Sequence, residues 1–270
     1  MQALKQWYET MIPALFPMML MSSILVDIGF AEKIGKLLNH TLLRFLHISD
    51  SGCYCLVTGF LFGFPMGAKT TADMLSQNKI NHEEAEYLVS FINCLGPMYI
   101  LNLIQNRFPS HNITALFLGV YGLPLIYGLI LRYTIYREEK FHQHKNAIKT
   151  INSSLSDAIY ECVPKCGRSM LMLGGYMILF QVSFITLEHF LHSINVVSNA
   201  YYPLLEITGG LFLLPADIPL SWLLFYLVFG GACCTLQTYS LLKPAGLSIR
   251  KYLYHKIILA AASFLFGILL

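Results

Sequence analysis

The stretch Gly59-Phe60-Leu61-Phe62-Gly63-Phe64-Pro65-Met66-Gly67-Ala68-Lys69-Thr70-Thr71-Ala72-Asp73 decides how this chain is read. It brings Gly59, Gly63, Pro65 and Gly67 into an otherwise apolar run and sets Lys69, Thr70, Thr71 and Asp73 directly behind them. Glycine and proline interrupt a helix, and in hydrocarbon every freed backbone group needs a partner. Broken backbone is therefore expected only where protein or a water-filled cavity surrounds it. A helix restarting near Pro65 or Gly67 presents unpaired N–H groups and a positive dipole end, and Lys69 beside it adds a full charge. Transporters hold anionic substrate groups at such half-helix ends. The plainer alternative is an exit loop with Lys69 and Asp73 as a surface i, i+4 pair, worth about 0.2–0.5 kcal/mol. A third reading fails: Gly63-x-x-x-Gly67-x-Lys69-Thr70 has one residue too few between the glycines of a phosphate loop and one too many before the lysine.

Outward from this stretch the chain is apolar in long blocks. Of 270 residues, 56% are hydrophobic and 12% charged, half the roughly 25% charge of ordinary soluble domains. The mean hydropathy is +0.57. Stretches without Asp, Glu, Lys or Arg run over 10–26, 51–68, 87–106, 108–131, 169–187, 189–205, 218–242 and 257–270. A spanning helix needs about 20 mostly apolar residues, so the expectation is an all-α, polytopic integral membrane protein. It would have six to eight membrane segments, some broken or re-entrant. The first stretch reads as a retained span, because Asp27 ends it and no small-residue cleavage site follows. The basic segment 132–161 (Arg132, Arg137, Lys140, Lys145, Lys149) reads as a cytoplasmic linker between membrane units 1–131 and 162–270. Its end, Ser153 to Val163, reads as an amphipathic surface helix, and the basic amphipathic stretch 31–49 reads as interfacial. Lys33, Lys36 and Arg44 compete with the linker for the cytoplasmic side. The units echo each other weakly: Thr58-Gly59-Phe60-Leu61-Phe62 matches Thr208-Gly209-Gly210-Leu211-Phe212, and Met18–Val26 parallels Met170–Ile178. Two such repeats commonly enclose a transporter's site.

Three further constellations carry polar chemistry. Asn93-Cys94-Leu95-Gly96-Pro97 interrupts an uncharged stretch, so Asn93 either contacts a substrate or satisfies freed backbone. Upstream, Asn81 is suited to cap a helix, with Glu83, Glu84 and Glu86 as its solvated entrance. Glu206, ahead of Thr208, stands in an apolar region: it binds a cation, relays a proton, or sits at an interface with the aromatic belt of Tyr201 and Tyr202. Phe229-Gly230-Gly231-Ala232-Cys233-Cys234-Thr235-Leu236-Gln237-Thr238 offers helix packing through small residues, and among Thr235, Gln237 and Thr238 it is Gln237 that is picked as the polar contact. The seven cysteines form no even-numbered framework. Cys162 and Cys166 share a helical face as packing residues, and no metal or cofactor is expected. No catalytic motif stands out, and the net charge of +3 is too mild for a nucleic-acid partner.

The runs GFPMGAKTTADML, NHEEAEYLVSFINCLGPMYI, LLEITGG and FGGACCTLQTYSLL resemble membrane proteins with nucleoside-recognition (Gate) domains, within them the sporulation integral membrane protein (YlbJ-like) branch. The resemblance covers roughly 11–105 and 160–270. It implies a permease of the cell membrane or forespore membrane of a spore-forming bacterium. The substrate implied is a small polar, anionic metabolite, with dipicolinate the candidate for that branch. The pathway residues it implies are Gly63, Pro65, Gly67, Lys69, Asp73, Asn93, Gly96, Pro97, Glu206 and Gln237; Thr70 and Thr208 stand beside them. Met66 and Cys94-Leu95 replace more polar residues common in the family. The implied partners are the bilayer, a small-molecule substrate and a further copy or membrane subunit. The alternatives are a nucleoside or ion permease, or a non-transporting scaffold that uses its glycines to bind a partner.

Overall fold

The computed structural model describes residues 2–39, 44–139, 141, 154–193 and 199–270, and among them there are helices and no strands. Lys140, Lys145, Lys149 and His40 of the two basic segments lie outside the described residues. The chain opens with α1 (Gln2–Gln6), a π-helical turn (Trp7–Met11) and α2 (Ile12–Asp27). Then come α3 (Phe30–Leu38), α4 (Asp50–Phe62), α5 (Met66–Ser76), α6 (His82–Ile92) and α7 (Pro97–Asn106). Helix α8 (Ile113–Phe117) continues through a π turn into α9 (Leu123–Tyr133), and α10 (Leu155–Ser193) is the longest element. The chain closes with α11 (Tyr202–Leu205), α12 (Ile207–Leu213), α13 (Leu220–Phe229), α14 (Gly231–Leu242) and α15 (Ile249–Leu269).

Five segments among the described residues are long and apolar enough to cross a bilayer: Leu4–Asp27, Ile113–Tyr133, Leu155–His189, Leu220–Ala245 and Ile249–Leu269. Two other stretches expected as spans are split. Residues 51–68 divide between α4 and α5 at Gly63–Pro65, and 87–106 between α6 and α7 at Asn93–Gly96. The breaks stand back to back. Gly63 has φ +74°, and a Cβ on it would lie 2.2 Å from the Gly96 nitrogen, so only glycine fits. Gly59 and Gly67 meet with their Cα atoms packed against the Ile92 carbonyl. A third break falls at Glu206, between α11 and α12, and a fourth at Gly230–Gly231, both with positive φ, between α13 and α14.

Helix α10 corrects one expectation. Of the segment expected as a surface helix, residues 155–163 open a continuous helix started by Ser154 and Asp157, whose side chains bond each other at 2.8 Å. Pro164 does not stop it, and the helix runs on to Ser193. Helix α10 packs on α2 through Cys166, Met170, Leu173 and Met177, which meet Met19, Met66 and Cys233. Its other face exposes Leu171, Leu179, Val182 and Ile185, the pattern of a helix facing lipid. Helix α3 buries Ala31 and Gly35 against α4 and exposes Phe30 and Leu37, as an interfacial helix does. The two echoes fare unequally. Met18–Val26 and Met170–Ile178 lie on helices that pack together, whereas Thr58 is inside α4 and Thr208 is on the first turn of α12.

Candidate functional site

Where the breaks meet α2 and α10 there is a cavity of about 450 Å³, within the size range of small-molecule sites. Its polar lining comes from Thr10, Tyr99, Asn102, Glu206, Thr208 and Gln237; Phe62, Phe64, Leu95, Gly96, Met177 and Cys234 supply apolar wall. Of the residues singled out from sequence, Gly96, Glu206, Thr208 and Gln237 face this space, and Pro65 lines a small hollow beside Gln237. Gly63 and Gly67 act through backbone contact, and Pro97 opens α7.

Lys69, Thr70 and Asp73 gather elsewhere, against α2 and α10. The Lys69 ammonium donates to Ser23 Oγ at 2.5 Å and to Asp73 Oδ2 at 2.6 Å, and Lys69 is 3% exposed. Asp73 Oδ1 pairs with Lys165 of α10 at 2.9 Å. Thr70 Oγ1 meets Ser22 Oγ at 3.3 Å, and Ser22 in turn accepts from the Tyr54 hydroxyl. The exit-loop alternative is therefore wrong in its geometry: the i, i+4 pair forms, but buried. A cation closed by its own carboxylate is also poorly placed to hold an anion at the helix end.

Asn93 belongs to a second buried cluster. Its Nδ2 donates to Thr238 Oγ1 at 2.9 Å and to the Tyr252 hydroxyl at 3.2 Å. The carbonyls freed at this break are taken up by Lys256, whose Nζ donates to Asn93 O at 2.6 Å, and by the Tyr121 hydroxyl on Leu95 O at 2.6 Å. Lys256 is 3% exposed, and its Nζ lies 4.4 Å from the centre of the Phe64 ring. Among the described residues it forms no ion pair. The sequence reading missed it, because Arg250, Lys251 and Lys256 look like the charged flank of a span starting at 257. The helix starts at Ile249 instead, where the Ser248 hydroxyl accepts from Lys251 N.

Glu206 is the side-chain cap of α12. Oε1 accepts from Thr208 N at 2.8 Å and from the Thr208 hydroxyl, and Oε2 accepts from Gly209 N at 2.7 Å. It is 5% exposed, and it borders the cavity. Tyr202 is buried and stacked on Phe184 at 3.6 Å between ring centres, so it is no belt residue; its ring fills space that α10 and α11 share. Gln237 donates to Cys233 Sγ at 3.1 Å. Cys162 and Cys166 face α2, bonding Asp27 Oδ2 and Ser23 Oγ. Asn81 caps α6 as expected, its Oδ1 accepting from Glu84 N at 2.8 Å. Glu84 is not solvated, however: it is fully buried and accepts from Ser49 N at 2.7 Å, which ties the start of α6 to the start of α4. Glu86 pairs with Lys251 at 2.6 Å.

The chain is similar to the sporulation integral membrane protein YlbJ of Bacillus subtilis (strain 168), with 29% identity over 265 residues. The match takes in 90% of this chain and 63% of the relative, so the chain spans under two thirds of that protein's length. No family model matches the chain, and no solved structure matches it. With this relative and five apolar helices of spanning length, the chain is an integral membrane protein.

Proposed function

We propose that the protein is a permease for a small polar, anionic metabolite, and that the cavity at the four helix breaks is its substrate site. The observation that carries the reading is that Phe64, Leu95–Gly96 and Glu206, from three of the helix breaks, and Cys234, one turn past the fourth, line one largely apolar cavity that also holds Thr10, Tyr99, Asn102, Thr208 and Gln237. Irregular backbone at membrane depth needs surrounding protein or a water-filled space, and transporters build their sites from discontinuous helices. The resemblance to Gate-domain membrane proteins and the similarity to a sporulation membrane protein make dipicolinate the first solute to try, in a cell-membrane or forespore-membrane setting.

The scaffold alternative draws less support. Gly230 and Gly231 turn inward: a Cβ on Gly230 would lie 2.9 Å from the Phe64 ring, and one on Gly231 2.9 Å from the Pro203 carbonyl. Replacing them with leucine would break the fold before it touched a partner. The test is uptake of labelled dipicolinate, nucleosides, small dicarboxylates and small 2-hydroxy monocarboxylates into proteoliposomes holding the pure protein. Uptake should fall at least tenfold when Met18→Trp fills the cavity and when Gln237→Leu removes its amide. If the reconstituted protein moves none of these solutes, the stand-alone permease reading is wrong.

A further inference from the structure

Lys256 is left over from every role described so far except one backbone hydrogen bond. An ammonium taken out of water is costly unless it is paired. Lys69 has Asp73, and Lys79 has Glu32 at 3.3 Å. Lys256 has a carbonyl oxygen and the face of Phe64. Those contacts are favourable, but neither supplies a compensating charge. The cluster around it is short of a second group. Asn93 is 1% exposed, and its Oδ1 accepts no hydrogen bond among the described residues. A buried acceptor without a donor costs about 1–3 kcal/mol, so the cluster holds one cation without an anion and one acceptor without a donor.

Both gaps sit behind a thin wall. Phe64, Leu95 and Cys234 line the cavity on one side, and on the other the Phe64 ring lies on Lys256 Nζ. The Phe64 ring packs on Gly230, where a Cβ would stand 2.9 Å from it, so this one side chain is the partition between the cavity and Lys256.

We propose that Lys256 and Asn93 Oδ1 are the specificity subsite for the acidic head of the solute. The class recognised is a small monocarboxylate with a hydroxyl or N–H beside the carboxylate. The carboxylate takes the place of the missing counter-ion on Lys256 Nζ, and the neighbouring donor fills Asn93 Oδ1. The ring of Phe64 moves aside to join the subsite to the cavity, whose apolar wall receives the rest of the molecule. This rests on the permease reading for its purpose and on the cluster's own chemistry for its binding.

The test is equilibrium binding to the whole protein in nanodiscs, by titration calorimetry, with mandelate, its neutral amide mandelamide, and phenylacetate, which lacks the hydroxyl. Mandelate should bind at least tenfold more tightly than mandelamide and several-fold more tightly than phenylacetate. Lys256→Met should lose that preference, and Lys69→Met should keep it. Because Lys256→Met could fail to fold, Cys234→Asp is the second arm: an internal carboxylate in the wall should abolish mandelate binding while the protein stays folded. Equal affinity for mandelate and mandelamide overturns the proposal, as does mandelate affinity unchanged in Lys256→Met or Cys234→Asp. Binding is read without any transport step. Lys256-dependent binding in a protein that moves no solute therefore refutes the permease reading alone, and uptake indifferent to Lys256→Met refutes this inference alone.

Discussion

Removing Asp73 tests whether Lys69 is a structural cation or a substrate group. Asp73 stands between two lysines, with Lys69 Nζ at 2.6 Å on one oxygen and Lys165 Nζ at 2.9 Å on the other. The inner pair is buried, with Lys69 3% and Asp73 12% exposed at their side chains, whereas Lys165 is 48% exposed. Breaking a buried pair by deleting one partner costs about 3–5 kcal/mol, because the other charge stays behind in low dielectric. The outer pair, half in solvent, adds at most about 1 kcal/mol. Asp73→Asn should therefore destabilise by about 3–5 kcal/mol, a large share of the roughly 5–15 kcal/mol available to a folded domain. Lys69→Met should cost less, about 1–3 kcal/mol, since Asp73 keeps Lys165 and only one bond to it and one to Ser23 are lost. The double variant should be no worse than Asp73→Asn alone, giving a coupling of about 1–3 kcal/mol. The assay is reversible unfolding in mixed micelles across the four-member cycle. Costs that add to within about 0.5 kcal/mol would show two independent groups and refute the buried-pair reasoning. Uptake per folded molecule is the companion measurement, and Lys69→Met should retain it.

Other perturbations follow from single contacts. Gly63→Ala should cost about 2–5 kcal/mol in the same unfolding assay, since its backbone conformation is open almost solely to glycine and the new Cβ meets the Gly96 backbone. Glu206→Ala should cost about 1–3 kcal/mol by leaving the Thr208 and Gly209 N–H groups and the Thr208 hydroxyl unpaired; an unchanged midpoint would show that water replaces the cap. Tyr252→Phe should cost about 1 kcal/mol through the lost acceptor for Asn93 Nδ2, with the oligomeric state unchanged by size-exclusion chromatography.

How far the sequence reaches is set by what each signal depends on. The membrane class follows from local quantities, apolar length and the scarcity of charge, so it needed no contacts. The breaks at Gly63–Pro65 and Asn93–Pro97 were legible for the same reason: glycine and proline act on their own backbone. That the two breaks touch was not legible, because the contact between Gly63 and Gly96 joins residues far apart in sequence. The side-chain roles depended most on such contacts. Lys69 read as a free cation at a helix end, and Ser23 and Lys165, from two other helices, turn it and Asp73 into a closed cluster. Glu84 read as solvated because two of its neighbours are acidic, but Ser49 N buries it. Lys256 drew no reading of its own, because a helix starting seven residues before it could not be placed from hydropathy alone.

The interior charges, taken together, point to which end of the cavity a solute would sense. Lys69, Asp73 and Lys79 are met by opposite charges. Glu206 is met by two N–H groups and a hydroxyl, which fill its acceptor oxygens. Among the described residues Lys256 meets no carboxylate, and its contacts are the Asn93 carbonyl and the Phe64 ring. A solute arriving in the cavity thus meets a negative group that is already satisfied and, behind Phe64, a positive one that is not. On the proposed permease reading, electrostatics would orient an anion with its acidic head toward Phe64 and away from Glu206. Neutralising Glu206 as glutamine should leave that orientation intact, whereas giving Lys256 an internal partner should remove the reason for it.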